Sequence, residues 1–186
     1  MLASILSWIA VVIVAATSIS LLISRDWRWD LGILAGQYVG TFILVAQHWP
    51  LGMAAAKLVT GWMATAALGM TLTALPPRPE SVEQSWPQGR VFRLFIAGMI
   101  LVLTVAVTPR LQNVLGGLGA PVIAGAIVLT GIGVLQLAMS SQIARVIFGL
   151  LTVLAGFEIL YAAIEGSILV AALLAVVDLG LGLVGA

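Results

Sequence analysis

A chain of 186 residues with 62% hydrophobic and 8% charged residues, a net charge of +1 and a mean hydropathy of +1.20 cannot cover itself with polar surface in water, because soluble domains carry about 25% charged residues. Lipid must be part of its solvent. With no cysteine and one histidine, disulfides, iron–sulfur ligation, cysteine zinc sites and metals held by several imidazoles are excluded; no cofactor is expected, and nothing points to nucleic acid.

A membrane-spanning helix needs about 20 apolar residues. The first such run is Leu2 to Ile23. It is too long for a signal-peptide core and lacks a basic start and a small-residue cleavage site, so it reads as a retained span. Ser24 to Asp30, with Trp27 and Trp29 among charges, ends it as an interfacial anchor. A short second span, Leu31 to Gln47, leads to a turn at His48-Trp49-Pro50, where His48 reads as a boundary residue. The third span is Leu51 to Leu75. A loop follows at residues 76–90, made exposed by its four prolines. The fourth span is Val91 to Val107, and residues 109–120, with Pro109 and three glycines, form a connection. The fifth, sixth and seventh spans are Pro121 to Met139, Ile143 to Ile164 and Ser167 to Ala186.

The expected fold is therefore an all-α integral membrane protein of about seven transmembrane helices. A β-barrel would need short segments of alternating polarity, and these runs are long and continuous. With the N-terminus outside, the cytoplasmic connections hold Arg25, Arg28, Arg78, Arg90, Arg93 and Arg145, against Arg110 alone outside. That is the positive-inside bias of a chain whose C-terminus is cytoplasmic.

A charge at the bilayer centre costs at least about 2.5–3.5 kcal/mol, so charges within spans mark where function should be sought. Four ionisable residues lie within or beside the spans: Lys57, Glu158, Glu165 and Asp178. Glu158 and Glu165 are two turns apart on one helix face, about 10 Å by helical rise, with Glu165 near the outer surface. Counting inward from Pro50 places Lys57 roughly 10 Å deep, level with Glu158. Asp178 falls near mid-membrane, within reach of Glu158 through bridging water. The bland alternatives are packing carboxyls for Glu158 and Asp178, a solvated boundary residue for Glu165, and a lysine that snorkels to the interface for Lys57. The many glycines read as helix-packing positions, and Gln136 as a cross-helix hydrogen-bonding group.

The last three spans carry further information. GAIVLTGIGVLQLAMSSQIARVIFGLL is glycine-spotted and ends at a turn with Arg145; the next span has a G-F-E-I-L core; ALLAVVDLGLGLVG carries an acid followed by small and branched residues. Over residues 121–186 this resembles the small K subunit of respiratory complex I and the homologous C subunit of Mrp-type sodium/proton antiporters. Glu158 matches the first carboxylate of that family and Asp178 the second, where the family usually has Glu. The resemblance implies a three-helix module at 121–186, joined by the connection at 109–120 to a four-helix module at 1–108 that has no counterpart in the small subunit. It also implies a proton relay in a multi-subunit proton- or sodium-translocating complex. Glu158 and Asp178 would be relay sites with Lys57 as modulator and Glu165 beside them, in a non-catalytic subunit surrounded by other membrane subunits and lipid in a bacterial-type plasma membrane. The alternatives are a structural or assembly subunit, in which the acids hold helices together, and a self-contained small transporter.

Overall fold

The computed structural model describes residues 2–24, 26–74 and 89–186. Arg25 and most of the proline-rich loop, with Arg78, lie outside the described residues. Seven helices are present among them: α1 (Leu2–Ile23), α2 (Trp27–Val45), α3 (Leu51–Ala74), α4 (Arg90–Val114), α5 (Ala120–Met139), α6 (Ile143–Ile164) and α7 (Ile168–Val184). Five, α1 and α3 to α6, are long and apolar enough to cross a membrane. α7 is apolar but 17 residues long. The protein is an all-helical bundle with the composition of a membrane protein.

Two helix boundaries differ from the reading of the sequence. The fourth span does not end at Val107: α4 continues through Pro109 to Val114. Proline removes one backbone donor, which weakens a helix without necessarily ending it. The donor missing at Pro109 is the one that would serve the Val105 carbonyl; the hydroxyls of Thr104 and Thr108 bond other carbonyls, those of Ile100 and Thr104. The turn that ends α4 comes later, at Gly117, whose φ of +112° belongs to the left-handed region that glycine adopts without steric cost. The second span, in turn, begins earlier than Leu31. Asp26 caps α2 by accepting from the Arg28 amide at 3.1 Å, and Trp27 to Asp30 form its first turn.

Small residues set the packing. α5 and α6 run antiparallel in the most extensive interface of the bundle. A Cβ on Gly156 would meet the Thr130 amide nitrogen at 2.9 Å and the Ala126 carbonyl oxygen at 3.0 Å, and one on Gly133 would meet Val153 and Gly149 backbone at 2.9 and 3.1 Å. Backbones this close give the van der Waals contact on which helix association in lipid depends. Replacing Gly156 with valine should therefore cost about 1–3 kcal/mol by overpacking, measured as unfolding in mixed detergent micelles. An unchanged midpoint would show that the helices separate freely there.

α7 packs chiefly on α3 and only lightly on its chain neighbour α6. α3 and α7 run parallel: Lys57 meets Asp178, Gly182 lies on Ala64 and Gly185 on Leu68. Helices from both sides of residues 109–120 share one core, in which Val14, Leu44 and Ala54 pack with Leu129, Ala155 and Ile159. The turn before α3 is tied to the turn before α7 by Trp49 Nε1, which donates to the Glu165 carbonyl at 3.0 Å.

Candidate functional site

α2 is not among the five helices long and apolar enough to cross a membrane, and its polar residues are inside. Asp30, Gln37, Tyr38 and Thr41 are all buried. Their spacing of seven, eight and eleven residues from Asp30 puts them on one helix face. That face looks into the interior formed with α1, α3 and α6.

At the centre of that interior Lys57 of α3 lies between Glu158 of α6 and Asp178 of α7. Its ammonium forms an ion pair with Glu158 Oε1 and another with Asp178 Oδ2, to which it also donates a hydrogen bond. Exposure is 6% for Lys57, 1% for Glu158 and 0% for Asp178, which rules out snorkelling for the lysine. Lys57 joins the two acids directly, where the sequence alone points to bridging water between them. Glu165 is not brought to this cluster. It sits exposed at the end of α6, where its backbone serves Trp49.

Close packing surrounds Tyr38 and the turn of α6 that carries Glu158. Lys57 is one turn before Gly61, where an added Cβ would overlap the Tyr38 ring; a side chain at 61 would push Tyr38 away. Tyr38 is 2% exposed and close enough to Glu158 and Asp178 to feel both charges. Trp49 stacks edge-on against Tyr161, with centroids 6.3 Å apart at 82°, and Tyr161 stacks on Phe157 at 6.1 Å, packing the turn of α6 that carries Glu158.

Among the described residues, Glu158 Oε2, Asp178 Oδ1 and Tyr38 Oη have no hydrogen-bond partner. Buried polar atoms are nearly always partnered in native proteins, so these oxygens mark acceptor capacity that the protein itself does not use. Two carboxylates face one ammonium, and the cluster carries one negative charge in excess when all three are ionised. A single proton or monovalent cation neutralises it. Compared with known proteins, this chain matches no family model, no curated protein and no solved structure. Its chemistry has to be read from the site itself.

The cluster is approached differently from its two ends. On the side of Trp49, a cavity of about 130 Å³ between α3 and α7 reaches Lys57, lined by Trp49, Met53, Ala56, Ile168 and Ala171. Apart from Lys57 its lining is apolar, so water is held there only where it reaches the polar groups of the cluster. On the other side, Gln37 Nε2 donates to Thr152 Oγ1 at 3.2 Å, and the Ser18 hydroxyl lies 3.5 Å from Gln37 Oε1. Gln136 reaches from α5 to the Arg145 carbonyl of α6 at 3.5 Å, a cross-helix contact at the limit of hydrogen bonding. Among the described residues no three acidic, histidine or cysteine side chains gather as a metal site would require.

Tyr38, Gln37, Thr152 and Asp30 are not legible as site residues from their identities. The signal for three of them is the helical spacing of polar side chains along α2. Thr152 is identifiable only by its partner.

Proposed function

We propose that this chain is a membrane subunit of a multi-subunit proton- or sodium-translocating assembly, and that Lys57, Glu158 and Asp178 form an ion-relay site in it. The observation that carries the reading is one buried ammonium shared by two buried carboxylates. Their summed charge leaves a place for one exchangeable proton or sodium ion. A net charge at this depth is costly, so occupancy by a cation is favoured. A shift of Lys57 toward either acid stabilises that carboxylate and leaves the other as the group that holds the proton. Such motion couples ion binding to helix position, which is what a larger assembly needs in order to drive or be driven by ion flow. The likeness of residues 121–186 to the K and C subunits supports the same reading.

In this proposal all seven helices span, with the N-terminus outside and the C-terminus cytoplasmic. α2 then crosses inside the bundle, its polar face shielded from lipid. The exposed apolar faces of α4 and α7, including Phe95, Val102, Leu173 and Val176, meet lipid or neighbouring subunits. Because the chain has no cysteine, Ser81→Cys can be labelled uniquely. It should react with an impermeant maleimide from the cytoplasmic side only; labelling from outside would invert the proposed topology.

The functional test is Glu158→Gln in the native assembly, with ion flux and subunit assembly scored together. A relay site predicts flux lowered at least about 100-fold, on the scale of a lost proton-transfer group, with assembly intact. The second reading is an assembly subunit in which the acids hold α3, α6 and α7 together. It is favoured by the position of Lys57 at the junction of those helices, and it predicts lost assembly.

A further inference from the structure

Below the Lys57 cluster, α2 carries a fourth buried ionisable group. Asp30 is 2% exposed, although it lies in the first turn of its helix next to a charged segment. Its Oδ1 has no hydrogen-bond partner among the described residues. The polar groups acting on it are the Ser24 hydroxyl, Arg145 on α6 and Asp26 at the cap of α2. Seven residues of helix, about 10 Å, separate Asp30 from Gln37. On α6 the same interval separates Arg145, beside Asp30, from Thr152, which bonds Gln37.

What fills that interval is apolar. Leu34 lies one turn from Asp30 and one turn from Tyr38, and is fully buried. Around it pack Leu21 of α1, Leu68 of α3 and Ile147, Phe148 and Leu151 of α6, in one cluster with Tyr38. These side chains come from four helices at the level between the two polar groups. Apolar constrictions stop ions and protons by excluding water.

We propose that Asp30 is a second proton-binding station, serving the Lys57 cluster across the apolar layer centred on Leu34 and Phe148. This rests on the relay reading of the cluster. When water enters the layer, a proton leaves the Asp30 carboxyl, passes along the water chain past Gln37 and Thr152, and arrives on a free carboxylate oxygen of Glu158. Asp30 is left ionised beside Arg145. The reverse transfer uses the same path. When the layer is dry, the two stations are isolated, and the cluster communicates only with the cavity near Trp49.

The experiment uses the full chain reconstituted in sealed lipid vesicles, with a potassium diffusion potential driving passive proton entry and a trapped pH dye reporting it. The native chain should be tight. Leu34→Ser, which wets the layer, should raise proton entry about tenfold or more; Phe148→Ser reads the same layer from the facing helix should the first variant not fold. Adding Asp30→Asn to the leaky variant should return entry to the native rate. Adding Glu158→Gln should do the same. A leak that persists with Asp30→Asn but stops with Glu158→Gln overturns the assignment of Asp30 and leaves the relay reading standing. One that stops with Asp30→Asn but persists with Glu158→Gln overturns the relay reading instead. No leak from either layer variant overturns the apolar layer as the barrier.

Discussion

Replacing Lys57 with methionine should cost about 3–5 kcal/mol of stability, the usual penalty for removing one partner of a buried ion pair. Methionine matches the lysine stem in shape, so packing is nearly preserved and the loss reports charge. Without the ammonium, Glu158 and Asp178 are two buried carboxyls with no counterion among the described residues. They must take up protons or separate. Unfolding in mixed micelles measures the cost. The triple variant Lys57→Met, Glu158→Gln, Asp178→Asn should recover most of the stability and, on the relay reading, none of the ion flux. A methionine variant within about 1 kcal/mol of the native chain would mean that the acids are already protonated and the lysine is not needed to hold them, since exposed pairs are worth no more than that.

Charge reversal should give the second large effect. Lys57→Glu places three carboxyls together, and Glu158→Lys places two ammonium groups beside one carboxylate. Each single reversal should strongly lower the amount and the stability of folded protein in the membrane. The double reversal restores the net charge and the opposite-charge contact between positions 57 and 158, but sets the new carboxylate at position 57 against Asp178, so it should recover folded protein only in part. Coupling of about 2 kcal/mol or more in the double-mutant cycle is expected for charges in direct contact. Simple additivity of the two defects would show that the groups do not interact.

Helix positions were largely readable because long apolar runs separated by charged or proline-containing turns leave little choice. The meeting of Lys57 with Glu158 was readable too, since depth follows from counting residues inward from Pro50 and Glu165. The end of α4 was not, because Pro109 looks like a break and the helix nonetheless carries on through it to Val114. Nor was the place of α7. A short connection to α6 implies that the two are close neighbours, yet Gly182 fits closely against Ala64 of α3, and that contact decides the packing. Asp30 was concealed by its surroundings. Next to Trp27, Arg28 and Trp29 it looks like one more interfacial charge, and only its side-chain direction, seven residues before Gln37 on one face, places it inside.

The direct contact of Lys57 with Asp178 spans 121 residues of chain, and that separation has a consequence during synthesis. At about 5–20 residues per second, α7 leaves the ribosome roughly 6–24 s after Lys57 does. Throughout that interval the third helix must enter or wait beside the membrane with its amine unpartnered, in a chain whose first matching acid, Glu158, arrives only with α6. At about 2.5–3.5 kcal/mol for a lysine at the bilayer centre, that interval favours a delayed, interfacial resting place for α3. Nascent chains cut before α6 would display an uncompensated lysine within the bilayer, a recognisable mark for membrane proteolysis.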